Sequence, residues 1–114
     1  MRAPPAQYAA EAALSGPQDA VDEMVAAFEE RRDVLVDGLT DMGLTVPEPR
    51  GAFYAMPAVP EGWVEEVIDR GVVVVPGDAF GERGAGYARI SYATDLETLE
   101  EAIDVMAEAT AALR

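Results

Sequence analysis

Residues 76–93 read PGDAFGERGAGYARISYA, a turn proline and four glycines followed by an alternating stretch that contains one arginine, Arg89. Glycines at 77, 81, 84 and 86 punctuate a loop from Pro76 to Gly86. Tyr87 to Tyr92 then alternates as a half-buried strand does. A period of two puts Tyr87, Arg89 and Ser91 on one face and Ala88, Ile90 and Tyr92 on the other. The cation therefore shares its face with two hydroxyls, opposite an apolar face. A guanidinium is a rigid fork that meets a carboxylate through two parallel hydrogen bonds, and a strand holds it more firmly than a loop would. At this level a salt bridge to a neighbouring acid is the simpler account of Arg89, and the glycines suit either the mouth of a site or a plain flexible connector.

Outward from this stretch, GVVVVP at 71–76 is a β-branched run between breakers, the signature of a buried strand. Trp63 to Arg70, stopped by Gly71, is a short helix, and Leu44–Val46 and Gly51–Met56 flank the turn PEPR as two short strands. Alternation sends Phe53 and Tyr54 to opposite faces. Near the N-terminus, Gln7 to Leu14 is an alanine-rich helix ended by Ser15 and Gly16. A long amphipathic helix then opens at Pro17, with Asp19, Asp22 and Glu23 at its positive end, and stops before Gly43. On the C-terminal side, Thr94 with Glu97 three residues on reads as a capping box for a last amphipathic helix through Leu96, Leu99, Ile103, Met106 and Leu113. The order predicts an α+β fold with helices packed on one face of a small mixed β-sheet.

Composition bounds the function. The 114 residues are half apolar, enough for one core that buries roughly two thirds of the unfolded surface. With 22 acids against 8 bases the net charge is −14, which repels nucleic acid and anionic membrane surfaces. There is no cysteine and no histidine, so disulfides, thiolate metal sites and imidazole chemistry have no residues to work with; no metal site is expected. The apolar run Val72–Val75 is far short of the roughly 20 residues of a membrane helix. MRAPPAQYAA lacks the continuous apolar stretch of a secretory signal, which points to the cytoplasm. All the bases are arginine. An acidic, lysine-free surface suits a halophile's protein working in molar salt, where the screening length is about 3 Å, and drift in a GC-rich genome is the alternative.

Several segments carry a family resemblance. QYAAEAAL with the following helix and its ERRDVLVDGL, the strand GAFYAMP, and above all VVVVPGDAFGERGAGYARISYA are similar to the C-terminal small domain of fold-type I, pyridoxal-phosphate-dependent aminotransferases of class I/II, the aspartate aminotransferase group. The last segment resembles the family's valine strand, P-G-x-x-F-G loop and R-I/L-S strand. In such enzymes the arginine of that strand holds the substrate's α-carboxylate, a role the resemblance places on Arg89. The family's G-x-F-Y strand borders the substrate pocket, so Phe53 would line it, although strand alternation explains the aromatic pair as well.

The resemblance also implies what these residues leave to others. The family holds pyridoxal phosphate covalently through a lysine, and there is no lysine in the sequence. Cofactor-binding and catalytic residues are therefore expected in a large domain that would precede Gln7. Residues 1–16 would lead from that domain and 17–114 would form the small domain. The expectation is the small-domain part of an amino acid aminotransferase, inactive alone and completed in cis or in trans by the large domain, acting on amino acids and 2-oxo acids. A freestanding module that binds small carboxylates, or a non-catalytic remnant, remains open. The alanine-rich first helix with Tyr8 would leave an apolar patch that favours a homo-oligomer.

Overall fold

The computed structural model describes residues 4–113. In chain order the elements are α1 (Pro4–Ser15), α2 (Asp19–Asp41), β1 (Tyr54–Ala55), α3 (Trp63–Asp69), β2 (Val75–Pro76), β3 (Ala88–Ser91) and α4 (Leu96–Ala112). Two 3₁₀ turns, Gly77–Phe80 and Glu82–Gly84, fill the loop between β2 and β3.

The sheet runs β1-β3-β2 and is antiparallel, not mixed. Tyr54 pairs with Ser91 and Ala55 with Ile90 on one side of β3; Val75 pairs with Arg89 and Pro76 with Ala88 on the other. The chain crosses through α3 from β1 to β2, which would make those two strands parallel neighbours. The glycine loop instead folds β3 back between them, so every pairing is antiparallel. Pro76 lacks an N–H and sits on the edge strand, where it costs no ladder bond.

The valine run is corrected by this topology. Only Val75 joins the ladder; Val74 is buried in the core while Val73 is 85% exposed. A strand buried on both faces needs a covering layer on each, and here the helices supply one alone. Leu44–Val46 is likewise no strand: Thr45 makes an isolated bridge to Ala58, and Leu44 points into the core. The aromatic strand shrinks to two residues because Ala52, at φ 56°, holds a left-handed turn just before it.

The core joins Leu35 and Leu39 of α2, Trp63 and Val67 of α3, and Leu99, Met106 and Ala109 of α4 to Ala88, Ile90 and Tyr92 around β3. Each large apolar side chain buried there contributes about 1.5–3 kcal/mol relative to exposure. Trp63 is fully buried, and its indole Nε1–H donates to Thr110 Oγ1 at 2.9 Å. The Thr110 hydroxyl donates onward to the Met106 carbonyl at 2.8 Å, so the polar atoms at the α3–α4 contact are satisfied. Helix α4 starts one residue later than expected. Asp95, in an extended conformation, accepts from the Thr98 N–H at 3.3 Å, and that bond holds its carboxyl below the usual range. Thr94 instead donates its hydroxyl to Asp95.

Helix α1 buries nothing and leaves Tyr8 and Leu14 exposed, and the first half of α2 leaves Val21, Met24 and Val25 exposed. These two helices stretch the molecule to 55 × 31 × 24 Å with a radius of gyration of 17.3 Å. A compact domain of this length has a radius of about 13 Å. Among the described residues no helix is long and apolar enough to cross a membrane.

Thr110→Val keeps the side-chain volume and strands the indole N–H of Trp63. Denaturant unfolding of the variant is expected to show a loss of about 1–3 kcal/mol, with Thr110→Ser retaining most of the wild-type stability.

Candidate functional site

Strand β3 determines where Arg89 stands. Ala88 and Ile90 on either side of it are buried against the helices, so alternation sends the Arg89 side chain to the uncovered face of the sheet. Neighbouring strands on both sides hold its backbone. The guanidinium carbon lies 4.3 Å from the centroid of the Tyr54 ring and 4.3 Å from that of Phe80. The described ring–ring contacts are Phe28 with Phe53, Phe28 with Tyr92, and Phe53 with Tyr54. Tyr54 and Phe80 do not touch each other, as expected for rings on opposite sides of one cation. Each such contact is worth on the order of 0.5–2 kcal/mol.

The ion pair that the sequence left open for Arg89 is not formed. Arg32 pairs with Asp33 at 3.0 Å and Glu29 at 3.5 Å, Arg50 with Glu48 at 3.5 Å, and Arg70 with Glu66 at 2.9 Å. The hydrogen bond from Arg32 to Asp33 is the main cause of its raised pKa. Arg31 lies over the Phe28 ring at 5.6 Å. Among the described residues no carboxylate comes within ion-pair distance of Arg89, in a chain with 22 acids. Its N–H donors remain available to a ligand.

Phe80 reaches the cation because of how its loop is built. Gly77 and Gly84 pack backbone to backbone, and a Cβ on either would run into the other's carbonyl oxygen. Gly77 N–H donates to Tyr87 O at 2.7 Å and Tyr87 N–H to Gly84 O at 3.1 Å, which closes the loop onto the start of β3. The 3₁₀ turn between these anchors ends at Phe80, half exposed over Arg89. Phe53 sits differently from the expectation of two diverging rings. It precedes β1 and lies 4.6 Å from Tyr54 and 5.9 Å from Phe28 of α2, while Ala55 is the residue that enters the core.

Among the described contacts none joins Arg89 to Phe53; Tyr54 touches both, with its ring 4.3 Å from the Arg89 guanidinium carbon and 4.6 Å from the Phe53 ring. Sequence reasoning missed Tyr54 and Phe80 as partners of Arg89. Alternation could have placed Tyr54 on the face of its partner Ser91, but nothing in the spacing marks Phe80. A cleft of about 360 Å³, lined by Phe28, Arg32, Arg50 and Tyr92 among others, does not include Arg89. The site around Arg89 is a built surface with one wall. No group of acids placed to hold a metal occurs among the described residues.

Arg89 thus stands on the uncovered sheet face with no acid partner among the described residues, and comparison with known proteins places the chain in a family. The sequence model described as "Aminotransferase class I and II" matches residues 3–106. The chain is 45% identical over 108 residues to "Probable aspartate aminotransferase" of Methanocaldococcus jannaschii, covering 90% of this chain and 28% of that protein. It is 43% identical over 104 residues to "LL-diaminopimelate aminotransferase" of Desulforudis audaxviator, covering 86% and 26%. The solved aromatic aminotransferase from Pyrococcus horikoshii superposes with a TM-score of 0.86 at 40% identity, over 94% of this chain and 31% of that one. The chain belongs to the class I and II aminotransferase family, and it spans little more than a quarter of the length of these curated relatives.

The family's members depend on pyridoxal phosphate. The sequence has no lysine, and so no side-chain amine to bind an aldehyde cofactor covalently. These residues do not fit that part of the chemistry, and no step of amino transfer is assigned to them.

Gly84→Ala forces the two loop backbones apart. The expected result is a stability loss of about 1–3 kcal/mol by denaturant unfolding, with the Phe80 ring displaced from Arg89.

Proposed function

We propose that the chain is the small-domain portion of a pyridoxal-phosphate-dependent amino acid aminotransferase. Arg89 receives the α-carboxylate of the amino acid or 2-oxo acid, and Phe53 lines the pocket beside it. Residues 1–16 lead from the large domain and 17–114 form the small domain. The observation that carries this reading is that Arg89, alone on a rigid strand, has both ring contacts and no acid partner. A carboxylate clamp fixes one end of the substrate and so supplies part of the alignment that the reacting Cα needs. The cofactor and its lysine belong to the large domain, joined in cis or supplied in trans, and the small domain alone is inactive. The relatives' names cover aspartate, LL-diaminopimelate and aromatic amino acids, all of which carry the one carboxylate this surface addresses.

In the complete enzyme, Arg89→Ala is expected to lower kcat/KM for the amino acid by about 10²–10³-fold, as removing one partner of a desolvated charge pair does. Arg89→Lys keeps the charge, loses the fork and falls between the two. Unchanged kcat/KM in the alanine variant would sink the assignment. Affinity of the 114-residue chain itself for small carboxylates, abolished by Arg89→Ala, would favour the freestanding binding module instead.

Two further properties follow from the surface. The exposed apolar side chains of α1 and the start of α2, Tyr8, Leu14, Val21, Met24 and Val25, pack on the large domain, and without it the chain self-associates. Sedimentation should show concentration-dependent oligomers; a monomer at every concentration would count against this. The acid surplus suits the cytoplasm of a halophile. The thermal midpoint is expected to rise as KCl goes from about 0.1 M to about 1 M and the screening length shrinks from about 10 Å to about 3 Å. A midpoint that stays level or drops would place the protein among ordinary acidic ones.

A further inference from the structure

We propose that Tyr54 and Phe80 are positioning residues that hold the Arg89 guanidinium in one plane, with its N–H rim turned out, before any carboxylate arrives. The inference rests on the reading that Arg89 receives a substrate carboxylate. It assigns a role to two residues that the resemblance does not.

The geometry carries it. Both rings lie 4.3 Å from the guanidinium carbon and do not touch each other, so they cover the two faces of the planar cation. What remains exposed is the edge, and the edge is where a carboxylate makes two parallel hydrogen bonds. The rings also resolve a competition. An arginine on a flexible stem, in a chain of net charge −14, would fold onto a neighbouring acid, as Arg32, Arg50 and Arg70 do. Held between rings, Arg89 has no such partner.

The placement of the rings supports the same conclusion. Phe80 is 52% exposed, so burial does not explain a phenyl group there. Its position follows from the turn fastened by the Gly77–Gly84 backbone contact, and the group it covers is Arg89. Tyr54 is braced from behind by Phe53, which stacks on Phe28 of α2 at an interplanar angle of 23°. One ring is thus fixed through α2 and the other through the glycine loop, and the cation lies where the two meet.

Freezing the guanidinium beforehand removes an ordering cost from carboxylate binding. Substrate and transition state carry the same carboxylate, so this is uniform binding, and its loss raises KM while leaving kcat nearly unchanged. In the complete enzyme that contains this chain, Phe80→Leu and Tyr54→Leu are expected to raise KM for the amino acid about tenfold with kcat nearly unchanged, and Phe80→Tyr and Tyr54→Phe to restore it. A second readout needs no activity. In ¹⁵N-edited NMR of the 114-residue chain, ring currents should place the Arg89 Nε–H upfield of the other arginines, Phe80→Leu should return it toward them, and Phe80→Tyr should bring it back upfield.

The outcomes separate the two claims. An Arg89 resonance that lies with the others in the wild-type chain overturns the inference. So does a Phe80→Leu enzyme with unchanged KM when Arg89→Ala lowers kcat/KM, and in that case the carboxylate-binding reading stands. If Arg89→Ala leaves kcat/KM unchanged, the reading itself fails and the inference falls with it.

Discussion

The rest of the molecule depends on the alternation of strand β3. Ala88, Ile90 and Tyr92 are locked among α2, α3 and α4, and that packing immobilises the backbone from which Arg89 projects the other way. Edge strands on both sides complete the fixation. The helices lie on one side of this small sheet, so the opposite face is free to carry a charge without the desolvation that a second helical layer would impose. Stability and site are the two faces of the same four residues.

That uncovered face carries Arg89 with an aromatic ring from β1 and another from the glycine loop. The guanidinium carbon lies 4.3 Å from both the Tyr54 and the Phe80 ring centroids, and the cleft lined by Phe28 and Tyr92 does not include Arg89. On a second surface, α1 and the start of α2 project from the core with apolar side chains exposed. Both features fit a chain that covers little more than a quarter of the length of its curated relatives. The lysine-free composition adds a chemical reason, because the residues that fold here contain no amine to hold an aldehyde.

Much of this was legible from the residues. The faces of β3 followed from a period of two, and the burial of Ala88, Ile90 and Tyr92 agrees with it. The helices were legible from their three- and four-residue spacing, although Asp95 rather than Thr94 caps the last one, because its carboxylate reaches the Thr98 N–H. The valine run misled: β-branched residues report a preference for extended backbone, and only the number of layers around a strand decides whether one face or both are buried. Strand direction was misread for a related reason, since the path of the glycine loop inserts β3 between its neighbours.

What the sequence determined by itself was the set of elements, the inward and outward sides of β3, the family resemblance and the identity of the one arginine worth testing. Local periodicity and residue chemistry carry those properties, and both are written along the chain. The tertiary structure alone decided that Arg89 has no acid partner among the described residues and that the Tyr54 and Phe80 rings lie against it. Phe80 lies nine residues before Arg89 with no periodic relation to it, and the two meet only because Gly77 and Gly84 let two stretches of backbone touch. A contact made by loop closure depends on where the backbone goes, and that path is set by packing between residues whose spacing announces nothing.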